Sequence, residues 1–144
     1  MEFDNTVVID RPPEDVFAYL ADFSNVPKWN YAIDETHKTS DGPVGVGATY
    51  EQTRSIPTRS QESFVVSDFQ PNQRLAITGD IGPFSGTLTY ELEGSPEGTV
   101  LHNRAALQGR GVMRIAGGIV GGRIREAVGA NLQKLKQLLE ADGM

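Results

Sequence analysis

The chain has 144 residues, of which 38% are hydrophobic, and a formal net charge of −6. This length is typical of a domain that buries a core of its own, so we expect a single domain over residues 1–144. The lack of cysteine excludes disulfides and cysteine-ligated zinc. The acidic balance argues against nucleic acid as a partner, because phosphate binding needs clustered lysine and arginine.

The amino terminus shows no basic segment followed by an apolar run, and no stretch approaches about 18 consecutive apolar residues. The sequence therefore predicts neither a signal peptide nor a transmembrane segment. We expect a cytoplasmic protein.

The first elements are a strand and two short helices. Apolar residues alternate with polar ones up to Ile9, which predicts a strand. Pro13 suits the first turn of a helix, since its missing N–H has no partner to lose there. This helix is expected to end near Phe23. Ser24 is then the expected N-cap of one further turn that ends at Trp29.

From residue 31 to residue 107 the pattern changes to alternation with a period of two, interrupted by glycine and proline turns. Phe84, Leu88 and Tyr90 give its clearest example. The short connections predict antiparallel neighbours. Six strands are expected here, at 31–39, 47–55, 59–69, 73–79, 84–93 and 99–108.

The last segment, from about Val112 to Leu139, predicts a long amphipathic helix. Its apolar stripe consists of Ala116, Val120, Ile124, Val128, Leu132, Leu135 and Leu139. Glycines at 117, 118, 121 and 122 remove side-chain volume from the first half of this helix. A helix that packs tightly in its second half and not in its first would suit the cover of a hollow.

These elements together predict an α+β domain. A curved seven-stranded antiparallel sheet wraps around the long C-terminal helix, and the two short helices after the first strand close one end. Strong curvature around a single helix leaves space between helix and sheet, so we expect an internal cavity.

Several segments carry a family resemblance, namely Pro12–Phe17, Asp22-Phe23, Pro27–Trp29, the Gly47 turn, Phe69–Leu75 and Gly98-Thr99. They resemble the polyketide cyclase/dehydrase and lipid-transport family of the START-like, Bet v 1-like superfamily (SRPBCC), over essentially the whole chain. The resemblance implies a helix-grip fold and a single START-like ligand-binding domain. That superfamily includes carriers of lipids, quinones and hormones, cyclases, oxygenase domains and chaperone activators, so the fold does not establish the function.

Strand alternation turns aromatic and aliphatic side chains toward the helix, together with a few polar ones. Asn103 shares the inward face with Leu101 and Ala105, while Tyr50 and Gln52 share one face of their strand. These polar groups either bond to one another or orient a carbonyl or hydroxyl group of a ligand. The opposite orientation of that strand would place Glu51 inside instead.

Trp29 is the only tryptophan, and it acts either as a gate over the cavity or as a plug that anchors the short helix. The complete set of expected ligand-binding residues is Trp29, Tyr50, Gln52, Phe64, Phe84, Leu88, Tyr90, Asn103, Gly117, Val120, Gly121 and Ile124.

We expect neither a metal nor a cofactor. His37 and His102 are the only histidines and do not have the spacing of a metal pair, and no phosphate-binding or nucleophile motif occurs in the sequence. Arg110, Arg114, Arg123 and Arg125 surround the glycine-rich stretch. They form either a solvated helix face or a cationic rim for an acidic head group or a lipid surface.

The sequence therefore favours the binding or transport of a small hydrophobic or amphipathic ligand, such as a lipid, a quinone or a polyketide-like molecule. A cyclase or dehydratase is the first alternative, with acid or base groups drawn from Tyr50, Tyr90, Arg54, Asp68 and Glu51. A protein-interaction module is the second, and it predicts an exposed apolar patch instead of a deep cavity.

Overall fold

The computed structural model describes the backbone of residues 1–109 and 113–142, and the side chains of residues 1–109 and 122–141. The strands are β1 (Glu2–Ile9), β2 (Ile33–Lys38), β3 (Thr49–Arg54), β4 (Ser60–Gln70), β5 (Arg74–Ile81), β6 (Phe84–Ser95) and β7 (Gly98–Gly109). The helices are α1 (Pro13–Ala21), α2 (Val26–Trp29) and α3 (Met113–Asp142), with one 3-10 turn at Phe23–Asn25.

The seven strands form one antiparallel sheet in the order β1-β7-β6-β5-β4-β3-β2. Each strand from β2 to β7 pairs with its neighbour in sequence, through connections that run from two residues between β5 and β6 to ten between β2 and β3. The first strand instead pairs with the last, Phe3 opposite Ala105. The segment with α1 and α2 therefore connects one edge of the sheet to the other. The predicted α+β helix-grip architecture is confirmed.

The start of α1 agrees with the prediction, since Pro13 occupies its first turn and is followed by Glu14 and Asp15. The predicted N-cap at Ser24 is wrong. Asp22 caps the 3-10 turn, accepting hydrogen bonds from the Ser24 backbone N–H at 3.2 Å and the Ser24 hydroxyl at 2.5 Å. The carboxylate of the residue immediately before the turn thus takes the role predicted for the serine.

Helix α3 covers the concave face of the sheet. In the second half of the helix, Leu132, Leu135 and Leu139 are buried against the sheet. Ile124 and Val128, which precede them, are half-buried. The helix end is attached to β1, because Lys136 Nζ donates to the Val8 carbonyl at 2.6 Å. No helix in residues 1–109 or 113–142 is long and apolar enough to cross a membrane.

Two glycines allow the strong bend of the sheet. Gly79 and Gly86 are directly opposite each other on β5 and β6. A Cβ at Gly79 would lie 2.3 Å from the Ser63 carbonyl oxygen, and a Cβ at Gly86 would lie 2.0 Å from that of Ala106. Only glycine tolerates such close backbone approach, so this pair marks where the sheet curves around α3.

Candidate functional site

A cavity of about 420 Å³ lies between α3 and the curved sheet. Most of its wall is apolar, formed by Leu75 and Leu88 of the sheet, Val26 of α2, and Ile124 and Val128 of α3. The half-buried residues of the helical stripe thus lie over a space, whereas the fully buried leucines that follow them pack in the core. A cavity of this size and lining is typical of small-molecule sites.

Six of the residues expected at the site line this cavity: Trp29, Gln52, Phe64, Leu88, Tyr90 and Ile124. They come from α2, β3, β4, β6 and α3, so elements that are distant in sequence meet around one space. The side chains of residues 113–121 lie outside the described part of the chain. The predicted site residues Gly117, Val120 and Gly121 belong to that segment and therefore lie outside the described side chains.

Tyr50, Phe84 and Asn103 are inside the protein, as predicted, but are not among the residues that line the cavity. The Tyr50 ring stacks on Phe64 at 5.1 Å between centroids and approaches Phe23 at 4.6 Å. It faces a separate groove near Asp22. Burial, with the Asp22 charge as a second cause, raises the pKa of Tyr50 above its usual value.

Phe84 and Asn103 are both completely buried in the core. Phe84 begins β6, opposite Gly109 at the far end of β7. Asn103 is paired with Tyr90 across the same two strands. Neither the amide nitrogen nor the oxygen of Asn103 has a hydrogen-bond partner within the part of the chain that the structure describes.

The orientation of β3, which the sequence left open, is now established. Tyr50 and Gln52 are buried and Glu51 is exposed. Gln52 belongs to an internal polar network, because its Nε2 donates to Glu62 Oε1 at 2.9 Å and its Oε1 accepts from the Thr36 hydroxyl at 3.4 Å. The interpretation of Gln52 as part of a self-satisfied network is the one that agrees with this geometry.

Glu62 is the main residue of this network, and the sequence analysis did not select it. Its carboxylate accepts from Arg54 Nε at 2.5 Å and from the Gly82 backbone N–H at 2.6 Å, besides Gln52. The Glu62 side chain is only 1% exposed. Glu62 lies on the same face of β4 as Phe64, so the alternation that predicts an inward Phe64 also predicts an inward Glu62.

Trp29 and Tyr90 form the aromatic wall of the cavity. Their rings meet edge to face, with centroids 6.4 Å apart. Trp29 is buried, in agreement with the plug and not with an exposed gate. Burial raises the pKa of Tyr90 well above its usual value, so this side chain remains a neutral phenol at physiological pH.

Two residues of the cavity wall each carry a fully buried polar atom that lacks a hydrogen-bond partner within the described residues. These atoms are Nε1 of Trp29 and Oδ1 of Asn131 on α3. A buried polar group without a partner costs about 1–3 kcal/mol. Asparagine is also disfavoured in the interior of a helix, because its side chain competes for backbone hydrogen bonds. Asn131 was not selected from the sequence, although an amide next to the stripe residue Leu132 is a departure from the apolar pattern.

The mouth of the cavity carries exposed apolar groups and a cation. Tyr31 and Ile56 are 57% and 45% exposed, and both line the cavity. Arg123 lines it from the exposed side of α3. Of the predicted arginine cluster, Arg125 instead donates to the Asp4 carbonyl at 3.2 Å. Arg110 and Arg114 lie outside the described side chains.

Other candidate acid or base groups are away from the cavity. Asp68 pairs with Arg74 at 3.2 Å. The exposed His37 lies 3.7 Å from Glu35 and 3.8 Å from Glu51. Among residues 1–109 and 122–141, no group of three or more histidine, aspartate or glutamate side chains could hold a metal ion.

The fold has many solved relatives. The protein TTHA0849 from Thermus thermophilus has a TM-score of 0.79 at 15% identity, over 100% of both chains. The di-domain ARO/CYC StfQ from the steffimycin biosynthetic pathway has a TM-score of 0.79 at 14% identity, over 99% of this chain and 51% of that one. Ara h 8.0201 has a TM-score of 0.71 at 13% identity, over 98% of each chain.

At these identities the likeness shows the fold alone. A search of curated proteins found no match. The family whose model matches residues 1–140 is described as polyketide cyclase/dehydrase and lipid transport. That match covers nearly the whole chain, and the resemblance found in the sequence is thereby confirmed. The chain belongs to the polyketide cyclase/dehydrase and lipid-transport family.

Proposed function

We propose that this protein reversibly binds a small apolar molecule in the cavity between α3 and the sheet. The observation that carries the proposal is the cavity itself, about 420 Å³ with a mainly apolar wall. Burial of ligand surface against such a wall supplies roughly 25 cal/mol per Å². The family match is in keeping with this role, because lipid transport is part of its description.

Binding is favoured over catalysis because the described part of the cavity wall offers no free base. The Glu62 carboxylate bonds to three residues of the wall, and these residues, Gln52, Arg54 and Gly82, already occupy its oxygens. Tyr90 remains protonated and is therefore a potential acid only. A cyclase or dehydratase needs a group that takes a proton as well as one that gives it.

An interaction module would present a continuous apolar patch. The large exposed hydrophobic residues of the described chain are Val8, Tyr31, Val46 and Ile56. Tyr31 and Ile56 belong to the rim of the cavity, while Val8 lies on β1 and Val46 in the connection between β2 and β3. Their distribution favours a ligand site with an apolar rim.

Native mass spectrometry of gently purified protein tests the proposal, followed by mass analysis of its organic-solvent extract. We expect a reproducible adduct that is lost on denaturation and that identifies the chemical class of the ligand. An apo mass alone would be followed by titration with apolar fluorescent probes. Failure of such probes to bind would contradict the proposal.

A matched pair of variants locates the binding. Ala127 lines the cavity from α3, whereas Ala130 on the same helix is exposed. Ala127→Phe should fill part of the cavity and weaken binding of the adduct or probe at least tenfold. Ala130→Phe adds the same ring outside and should leave affinity unchanged. Equal effects of the two substitutions would place the ligand elsewhere.

A further inference from the structure

The Tyr90 hydroxyl is an unused polar group inside the protein. It makes no hydrogen bond to any residue in the described part of the chain, yet it is not fully buried, in contrast to Trp29 Nε1 and Asn131 Oδ1. A water-sized group can therefore reach this hydroxyl, although the residue as a whole is buried.

The reachable surface of this hydroxyl opens on the cavity and not on the outside of the protein. Tyr90 shares one face of β6 with the buried residues Leu88 and Leu92, so its side chain points to the concave side of the sheet. Tyr90 also lines the cavity. The Trp29 ring meets the Tyr90 ring edge to face and holds it in place. A hydroxyl in a fixed position is thus presented to a mainly apolar space.

A ligand oxygen that only accepts hydrogen bonds fits this hydroxyl best. A ligand hydroxyl would bring a donor of its own, and the side-chain acceptors of the described wall away from the mouth are engaged or out of reach. Gln52 Oε1 and Asn30 Oδ1 already accept hydrogen bonds within the protein, and Asn131 Oδ1 is fully buried. A carbonyl oxygen takes the Tyr90 proton and adds no donor that would stay unpaired.

The charges around the cavity favour a neutral carbonyl over a carboxylate. Arg54 and Arg123 are the charged residues of the described wall. Arg54 is neutralised by Glu62, through hydrogen bonds of 2.5 and 3.2 Å, and Arg123 lies at the exposed mouth. A carboxylate at Tyr90 would therefore be a buried charge next to an electrically neutral wall, which is unfavourable.

We propose that the bound molecule is a neutral, apolar compound with a carbonyl group, whose oxygen accepts a hydrogen bond from the Tyr90 hydroxyl. This inference rests on the proposed function and specifies the ligand class of that site. Ketones, quinones and esters with an apolar skeleton have the required chemistry. A ligand that covers the hydroxyl without offering an acceptor leaves it unpaired and loses affinity.

Four probes with one ring system separate the possible contacts. β-Acetylnaphthalene has a carbonyl group, and β-isopropenylnaphthalene has nearly the same shape without the oxygen. The alcohol obtained by reduction of the acetyl group has a hydroxyl, and β-naphthoate carries a negative charge. Displacement of a fluorescent apolar probe measures the four affinities. We expect the ketone to bind about three- to tenfold more tightly than the isopropenyl compound, the range that one net hydrogen bond supplies.

Variants assign this preference to one residue. Tyr90→Phe deletes only the hydroxyl and should bring the ratio of the two affinities close to one. Tyr50→Phe is the matched control, because Tyr50 is also a buried tyrosine but faces the separate groove near Asp22. It should leave the ratio unchanged. Tyr31→Phe, at the mouth of the cavity, should leave it unchanged as well.

The vibration of the ligand carbonyl gives a direct signal that does not depend on affinity. A hydrogen bond to the oxygen lowers the C=O stretching frequency. The infrared band of bound β-acetylnaphthalene should therefore lie below its position in an alkane solvent, and it should return toward that position in Tyr90→Phe.

The outcomes are distinguishable. If none of the four probes binds, the proposed function fails and this inference fails with it. If the isopropenyl compound binds as tightly as the ketone, or if Tyr90→Phe keeps the preference, only the carbonyl proposal is overturned. Tightest binding of the alcohol would also overturn it. So would tightest binding of β-naphthoate that Arg123→Gln removes, since the cavity would then take an anionic head group at its mouth.

Discussion

The Arg54 guanidinium lies 2.5 Å from the Glu62 carboxylate, Nε to Oε2, beside the cavity between α3 and the sheet. The two side chains are 12% and 1% exposed. A buried ion pair of this kind contributes little net stability, because desolvation opposes the attraction of the charges. Its effect here is to leave an electrically neutral wall next to an apolar space.

Replacement of one partner should be strongly destabilising. Glu62→Leu leaves the Arg54 charge buried without compensation, so we expect the free energy of unfolding to fall by about 3–5 kcal/mol. Urea denaturation measures this. The double variant Arg54→Met/Glu62→Leu removes both charges and should recover most of the loss. A single-variant cost below about 1 kcal/mol would show that the pair behaves as a solvated surface pair.

Removal of the unpartnered amide in the core should increase stability. Asn103→Leu keeps the side-chain volume and deletes two buried polar atoms that have no partners among the described residues, so the free energy of unfolding should rise by about 1 kcal/mol. Asn25 is the control, because its amide donates to the Tyr19 carbonyl at 3.2 Å. Asn25→Leu should destabilise. A loss on Asn103→Leu would mean that internal water satisfies that amide in solution.

The bend of the sheet should be sensitive to a single methyl group. Gly79→Ala places a Cβ 2.3 Å from the Ser63 carbonyl oxygen, and the strands must separate to accept it. We expect a loss of about 1–3 kcal/mol in thermal or urea unfolding. Gly122→Ala is the matched control on α3, where a Cβ meets no described atom within 4 Å. It should gain about 0.5–1 kcal/mol.

Alkaline unfolding should depend on Tyr90. Its pKa is raised by burial above the ordinary 10.0, so the unfolded chain loses this proton at a lower pH than the folded one. The contribution to stability is complete below that pH and is lost as pH rises toward the folded pKa. Tyr90→Phe should therefore flatten the decline in stability above about pH 10.

Denaturation at a series of alkaline pH values measures this slope. Tyr31→Phe is the control, since the Tyr31 side chain is exposed and solvated in the folded state. If the slope is the same in wild type and Tyr90→Phe, the phenol of Tyr90 is accessible to solvent in the folded protein.

The element order, the antiparallel sheet and the covering helix were all predictable from the sequence. Each depends on a local pattern, such as the alternation through Phe84, Leu88 and Tyr90 or the apolar stripe that ends at Leu139. The Ser24 cap was wrong because the 3-10 turn already begins at Phe23, so Asp22 occupies the capping position and Ser24 lies inside the turn. A shift of two residues in the start of a turn is within the uncertainty of a local pattern.

The sequence alone determined which residues share one face of a strand or helix, because the direction of a side chain follows from the periodicity of its own element. Only the tertiary structure decided which face of β3 is buried and which of the inward residues reach the cavity. Tyr50 and Asn103 point inward but lie against rings and core, whereas Asn131 on α3 lines the same cavity as Trp29 on α2. Whether an inward side chain meets a neighbour or a space depends on how α3 lies across the curved sheet, and that position results from contacts between residues far apart in the chain.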